Sequence, residues 1–204
     1  TVSGGSFDGS TQGAQGANPT TGDAFTIFNG KVSGLGVLSY IDDVNNSLVL
    51  TFSGLNPTKA YDLAFFSHRN TSGWDRASLV TISGQDAFTN TSSVATDNPS
   101  EAGGVIFSGP ADTSTRLPAD NDNGYVARFS QVNPGSDGIV VLTISFDGIP
   151  LHQYAGKYGS AVRLVESSTS NTTGHDLDGD GKADLVWRNT NGNTAIWLLN
   201  GTAI

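Results

Sequence analysis

The chain has 204 residues, with ten Lys and Arg against nineteen Asp and Glu, a net charge of −9, 36% hydrophobic residues and neither Cys nor Met. That length suits one large domain or two modest ones, and ten phenylalanines supply material for a core. The acidic balance excludes nucleic acid and anionic membrane as partners over most of the surface, the lack of cysteine excludes disulfides, and no run of eighteen apolar residues is present to span a membrane. The 26 glycines follow no three-residue period, which excludes collagen. Few charges combined with many Asn, Ser and Thr suit a secreted or cell-surface protein. No signal peptide is visible, and the chain opens on Thr1 rather than methionine.

Residues 1–22 are rich in Gly, Ser, Thr, Gln and Asn and hold little to bury. They read as a flexible lead-in or as an arm that extends onto a neighbouring subunit. Short strands are predicted at Ala24–Phe28 and Val37–Ile41, followed by a turn at Asp42-Asp43-Val44-Asn45-Asn46. Leu48–Phe52 is a stronger strand candidate, and Gly54-Leu55-Asn56-Pro57-Thr58 is a tight connection to an apolar run at Tyr61–Ser67. The series continues through Leu79–Ser83, Gly104–Phe107, Tyr125–Phe129, Ile139–Phe146 and Ala161–Val165. These lengths, with turn signals between them, predict an all-β, antiparallel sandwich over residues 23–166. The β-branched run Ile139-Val140-Val141-Leu142-Thr143-Ile144 marks a central strand, and no segment carries a sustained helical apolar stripe.

The stretch Ser53-Gly54-Leu55-Asn56-Pro57-Thr58-Lys59-Ala60-Tyr61-Asp62-Leu63 resembles extracellular bacterial jelly-roll domains of the galactose-binding-like kind. In these, a Gly-Leu-x-Pro turn precedes a Tyr-containing strand and an Arg-bearing loop. Phe66 to Arg69 and Tyr158-Gly159-Ser160-Ala161-Val162-Arg163-Leu164 are similar features, and the resemblance extends over roughly Ala24 to Glu166. It implies a jelly-roll-like scaffold, which in itself carries many functions.

His68-Arg69-Asn70 with Trp74-Asp75-Arg76 forms the densest polar and aromatic group in this region. Arg69 and Arg76 can hydrogen-bond sugar hydroxyls, and Trp74 can stack on an apolar sugar face, so Arg69, Trp74 and Arg76 are candidate glycan contacts. The structural alternative is an ion pair of Asp75 with either arginine and a tryptophan capping the core. Asp120-Asn121-Asp122-Asn123-Gly124 is an oxygen-rich loop before a strand, readable as a plain turn or as a second calcium site. His68, His152 and His175 are scattered, and neither His-Glu-x-x-His nor Gly-x-Ser-x-Gly occurs. The only glutamates are Glu101 and Glu166, and no carboxylate pair suited to glycoside hydrolysis stands out, so no enzymatic activity is expected.

Residues 167–174 read as a linker, and a separate segment at 175–204 follows. It opens with Asp176-Leu177-Asp178-Gly179-Asp180-Gly181-Lys182-Ala183-Asp184. Calcium is a hard cation that takes about 6–8 oxygen ligands. Asp176, Asp178, Asp180 and Asp184 offer carboxylates at alternating spacing, Lys182 offers its backbone carbonyl, and Gly181 permits the sharp turn. The alternative is a solvent-exposed Asp/Gly turn. Position 12 of an EF-hand loop would be Trp187, which cannot ligate, so the loop departs from that motif. Leu185-Val186-Trp187-Arg188-Asn189 and Thr194-Ala195-Ile196-Trp197-Leu198-Leu199 flank Asn191-Gly192, a strong hairpin signal. From Asp176 to about Thr202 the segment resembles the calcium-binding hairpins of FG-GAP/VCBS-like repeats.

The expected architecture is thus a jelly-roll-like sandwich followed by a calcium-loop β-hairpin, with Ca2+ as its ion. Two strands alone are marginal, so Trp187, Trp197 and Leu199 need a covering surface. That surface is the sandwich, a neighbouring subunit or further repeats. The expected function is a structural or adhesive protein, such as a filament subunit, that self-associates or joins a related extracellular subunit through β-strand contacts. The alternative is a carbohydrate-binding module with a glycan as partner.

Overall fold

A computed structural model of the chain describes residues 2–3, 16–35, 38–40, 47–68, 77–93, 109–118, 120–147, 157–167, 185–188, 191 and 194–197. The strand expected at 104–107 and the turn expected at 42–46 lie outside them. The chain divides into two compact units, Thr1–Glu166 and Ser167–Ile204.

The first unit contains, in chain order, β1 (Val2–Ser3), α1 (Gly22–Phe28), β2 (Leu38–Tyr40), β3 (Leu48–Phe52), β4 (Tyr61–Phe66), β5 (Ala77–Ser83), β6 (Ala87–Asn90), β7 (Ser114–Pro118), β8 (Ala127–Asn133), β9 (Val140–Phe146), β10 (Lys157–Gly159) and β11 (Ala161–Glu166). A five-stranded sheet runs β1-β3-β9-β5-β7, a four-stranded sheet runs β11-β4-β8-β6, and β10 pairs with β2. All these pairings are antiparallel, and among the described residues the architecture is all-β apart from one short helix. The central strand expected from the β-branched run is β9, which lies between β3 and β5.

Register aligns the apolar faces. Val80 and Leu48 both stand opposite Ile144, and Ile82 and Leu50 both stand opposite Leu142. In the other sheet Leu63 is paired with Phe129, whose ring meets Phe88 edge-on at 6.0 Å. One hydrophobic cluster draws on both sheets, including Leu48, Val80, Leu142 and Ile144 from the first and Leu63, Phe65, Phe129 and Val132 from the second. Fully burying a side chain of this size contributes about 1.5–3 kcal/mol, so alternate residues of these strands supply the main favourable term.

Residues 24–28 are a correction. A short strand was expected at Ala24–Phe28, but the segment is the helix Gly22–Phe28. Its buried residues are Ala24, Ile27 and Phe28, an i, i+3, i+4 set, while Phe25 is 42% exposed. Seven residues give too short a window for helical periodicity to stand out from alternation. The choice is tertiary. A second apolar cluster joins Ala24, Ile27 and Phe28 to Ala64 and Phe66 of β4 and to Val126, and the Phe28 and Phe66 rings lie 6.1 Å apart. Thr21 makes no side-chain cap, and the Ala24 N–H instead donates to the Gly124 carbonyl at 2.8 Å. A loop thereby satisfies one of the amides that a helix start leaves open.

Strands β6, β7 and β10 were not expected. In β7, Arg116 is almost fully buried and lies 3.7 Å from the Asp147 carboxylate, which is buried as well. Lys157 of β10 is fully buried. Charged residues at such positions hide a strand from an apolar-pattern reading. Val2 and Ser3, within the expected N-terminal arm, pair with Leu50 and Val49 at the edge of the five-stranded sheet.

In the second unit, β12 (Leu185–Arg188) and β13 (Thr194–Trp197) form an antiparallel two-stranded sheet, with Leu185 opposite Trp197 and Trp187 opposite Ala195.

Candidate functional site

The connection Gly54–Ala60 brings β4 into the four-stranded sheet. Gly54 has a positive φ of 76°, Thr58 donates its backbone N–H to the Asn56 side chain, and the Tyr61 hydroxyl accepts the Asn56 N–H at 2.8 Å. Just past the far end of β4, Ser67 and His68 are buried, and the His68 ring stacks on Phe66 at 6.3 Å between centroids. The His68 backbone N–H donates to the Ser160 hydroxyl at 3.0 Å, which ties the chain after β4 to the start of β11.

The oxygen-rich loop after β7 closes over this histidine. Asn121 is its anchor. Its side-chain amide donates to the carbonyls of Ser67 and Tyr125, its side-chain oxygen accepts the Tyr125 N–H, and its backbone N–H donates to His68 Nδ1 at 2.8 Å. Residues on either side of Asn121 present carboxylates to the ring. Asp120 Oδ1 is 3.9 Å from Nδ1, and Asp122 Oδ1 is 3.7 Å from Nε2.

His68, Asp120 and Asp122 each offer an atom within 4.8 Å of the others, a separation at which they could hold a metal ion. The environment is uneven. The Asp122 side chain is 82% exposed, whereas Asp120 Oδ1 is buried with no hydrogen-bond partner. Burial holds the Asp120 carboxyl above the ordinary carboxylate range, the Asp122 charge adds to this, and His68 opposes it. An imidazole with two carboxylates is also unlike a calcium shell, which is built from oxygen ligands.

The candidate calcium ligands Asp176, Asp178, Asp180, Lys182 and Asp184 lie outside the described residues, as do the candidate glycan contacts Arg69, Trp74 and Arg76 and the histidines His152 and His175. The loop at 120–124, expected as a turn or a second calcium site, is a turn pinned by Asn121, with the Gly124 N–H donating to the Asn121 carbonyl. What the sequence reading missed is its meeting with His68 across a separation of 53 residues between His68 and Asn121. No local spacing signals such a pairing.

A family model described as the FG-GAP repeat matches residues 168–199, a stretch that contains the Asp176–Asp184 sequence and both strands of the hairpin. No curated protein and no solved structure matches the chain. Among the described residues, no helix is long and apolar enough to cross a membrane.

Proposed function

We propose that the chain is a secreted or cell-surface, calcium-stabilised structural or adhesive protein without catalytic activity, built as a jelly-roll-like sandwich with a calcium-loop hairpin. The observation that carries this reading is the FG-GAP match over 168–199, which coincides with the alternating carboxylates of Asp176, Asp178, Asp180 and Asp184. Two antiparallel sheets that share one core support the sandwich. Self-association, or joining a related extracellular subunit into a filament, is the partner side of the reading. It draws support from β11, an edge strand of the four-stranded sheet on which Val162 is 39% exposed. Calorimetry and thermal melting of the intact protein test the calcium claim, because an ion bound only by the folded chain raises its stability by linkage. A calcium-dependent heat with a lower melting point in chelator is expected. If both are absent the calcium claim fails. Light scattering and negative-stain microscopy with calcium present test assembly, and a strictly monomeric protein at high concentration would sink it.

A second reading, a carbohydrate-binding module, is favoured by the cluster of His68, Asp120 and Asp122, which gathers three polar groups, and by the sequence adjacency of His68 to the segment carrying Arg69, Trp74 and Arg76. A glycan array probed with the wild type and with Trp74→Ala tests it. Binding that Trp74→Ala weakens is expected, and a folded protein that binds nothing removes this reading.

A further inference from the structure

We infer that the His68–Asp120–Asp122 cluster binds a hydroxyl group of a saccharide, through His68 and Asp122, rather than a metal ion. The inference rests on the carbohydrate-binding reading and names where the ligand sits.

The argument turns on hydrogen-bond polarity. A neutral imidazole has one lone-pair nitrogen and one N–H. At His68 the lone pair is committed, because Nδ1 accepts the backbone N–H of Asn121 at 2.8 Å. The ring proton is therefore on Nε2. Turning the ring over would set a C–H against the Asn121 amide, so the hydrogen bond also fixes the ring's orientation. A histidine that ligates a metal does the reverse: it gives one lone pair to the ion and donates its other N–H to an acceptor. Ligation through Nε2 would require loss of the Asn121 bond or deprotonation of the ring.

The groups left to a ligand are one donor, the Nε2–H, and one solvent-open acceptor, the Asp122 carboxylate. Nε2–H and Asp122 Oδ1 lie 3.7 Å apart, beyond direct hydrogen-bond distance. A hydroxyl oxygen at about 2.8 Å from each bridges that gap, accepting from the ring and donating to the carboxylate. A metal ion can only accept lone pairs and cannot use the N–H. Asp120 Oδ1 is closed to solvent and takes no part in this contact. One sugar hydroxyl matches the donor–acceptor pair of His68 and Asp122. The 82% exposure of the Asp122 side chain leaves its carboxylate open to a ligand from solvent.

The test uses the whole protein on a glycan array, with Asp122→Ala beside the wild type. It is paired with NMR titrations of D-galactose, D-mannose, D-glucose, L-rhamnose and any array hit, followed at the Asn121 and Tyr125 backbone amides. Each titration is run in saturating calcium and again in excess chelator. Expected are shifts of these two amides that persist in chelator, with Asp122→Ala binding roughly tenfold or more weaker, the cost of losing a hydrogen bond to a charged group. His68→Gln, which leaves both carboxylates in place, weakens binding as well. Saccharide binding that Asp122→Ala leaves unchanged overturns the inference while leaving the carbohydrate reading intact. A folded protein that binds no saccharide overturns both. Zinc, manganese or calcium shifting the same amides, and failing to do so in Asp122→Ala, makes the cluster a metal site and overturns the inference.

Discussion

Gly124 lies so close to the backbone of Thr21 that a β-carbon on it would stand 2.1 Å from the Thr21 carbonyl oxygen. Its φ of 67° is one that L side chains rarely adopt, and its own carbonyl caps the start of α1 at Ala24. Loop and helix are thus interlocked at a residue that has to be glycine. Gly124→Ala should cost about 2–4 kcal/mol, combining left-handed strain with the overpacked contact. Urea unfolding measures it, and a loss below about 0.5 kcal/mol, the range of ordinary surface substitutions, would show that the loop can move away from the helix freely.

Asn121→Ala removes three side-chain hydrogen bonds and leaves the Ser67 carbonyl without one partner at a buried position. The expected loss is about 2–4 kcal/mol, because an unsatisfied buried group costs its desolvation as well as the bond. Asn121→Asp should not rescue it, since a carboxylate keeps the acceptor for Tyr125 and lacks both donors. Chemical denaturation of the two variants side by side decides the point.

The pH response of the loop follows from Asp120. Burial and then the Asp122 charge hold its carboxyl above the ordinary range in the folded chain. The folded state therefore keeps this proton at pH values where the unfolded chain has released it. Stability from this group is greatest below its unfolded value and falls as pH rises through the window up to the folded value. Asp120→Asn, neutral at every pH, should flatten that slope just above the ordinary carboxylate range. Unfolding free energies of wild type and variant over a pH series check this, and parallel curves would contradict it.

Asp147 and Arg116 form an ion pair at 3.7 Å with both side chains almost fully buried. Breaking such a pair from one side strands the other charge, so Asp147→Ala should cost about 3–5 kcal/mol. Joint replacement of Arg116 and Asp147 by apolar residues of similar volume should cost less than the single change. A double-mutant cycle in urea shows whether it does.

Asp180 is the fifth residue of the Asp176–Asp184 sequence and lies outside the unit that ends at Glu166. Asp180→Asn keeps one carbonyl oxygen and loses the charge, so calcium affinity should fall while the far-UV circular dichroism stays as in the wild type. Unchanged affinity would remove Asp180 from the shell.

How much of this the sequence determined by itself can be read element by element. The runs that became β3 and β9 were legible because each buries alternate residues at its start, a period local enough to see without partners, and β4 because it is a continuous apolar run, Leu63 to Phe66, buried throughout. The Gly54–Thr58 turn and the Asn191 hairpin were legible for the same reason, since turn chemistry is held in neighbouring residues. Tertiary structure decided the rest. Gly22–Phe28 is a helix because a cluster with Phe66 and Val126 covers its one apolar face and Gly124 caps its start. Strand β7 carries Arg116, whose burial depends on Asp147 far along the chain. The candidate site exists only because β4 ends where the loop after β7 returns, which sets Asn121 on His68. Periodicity and turns are properties of adjacent residues, whereas a donor placed on a ring from 53 positions away is a property of the folded chain alone.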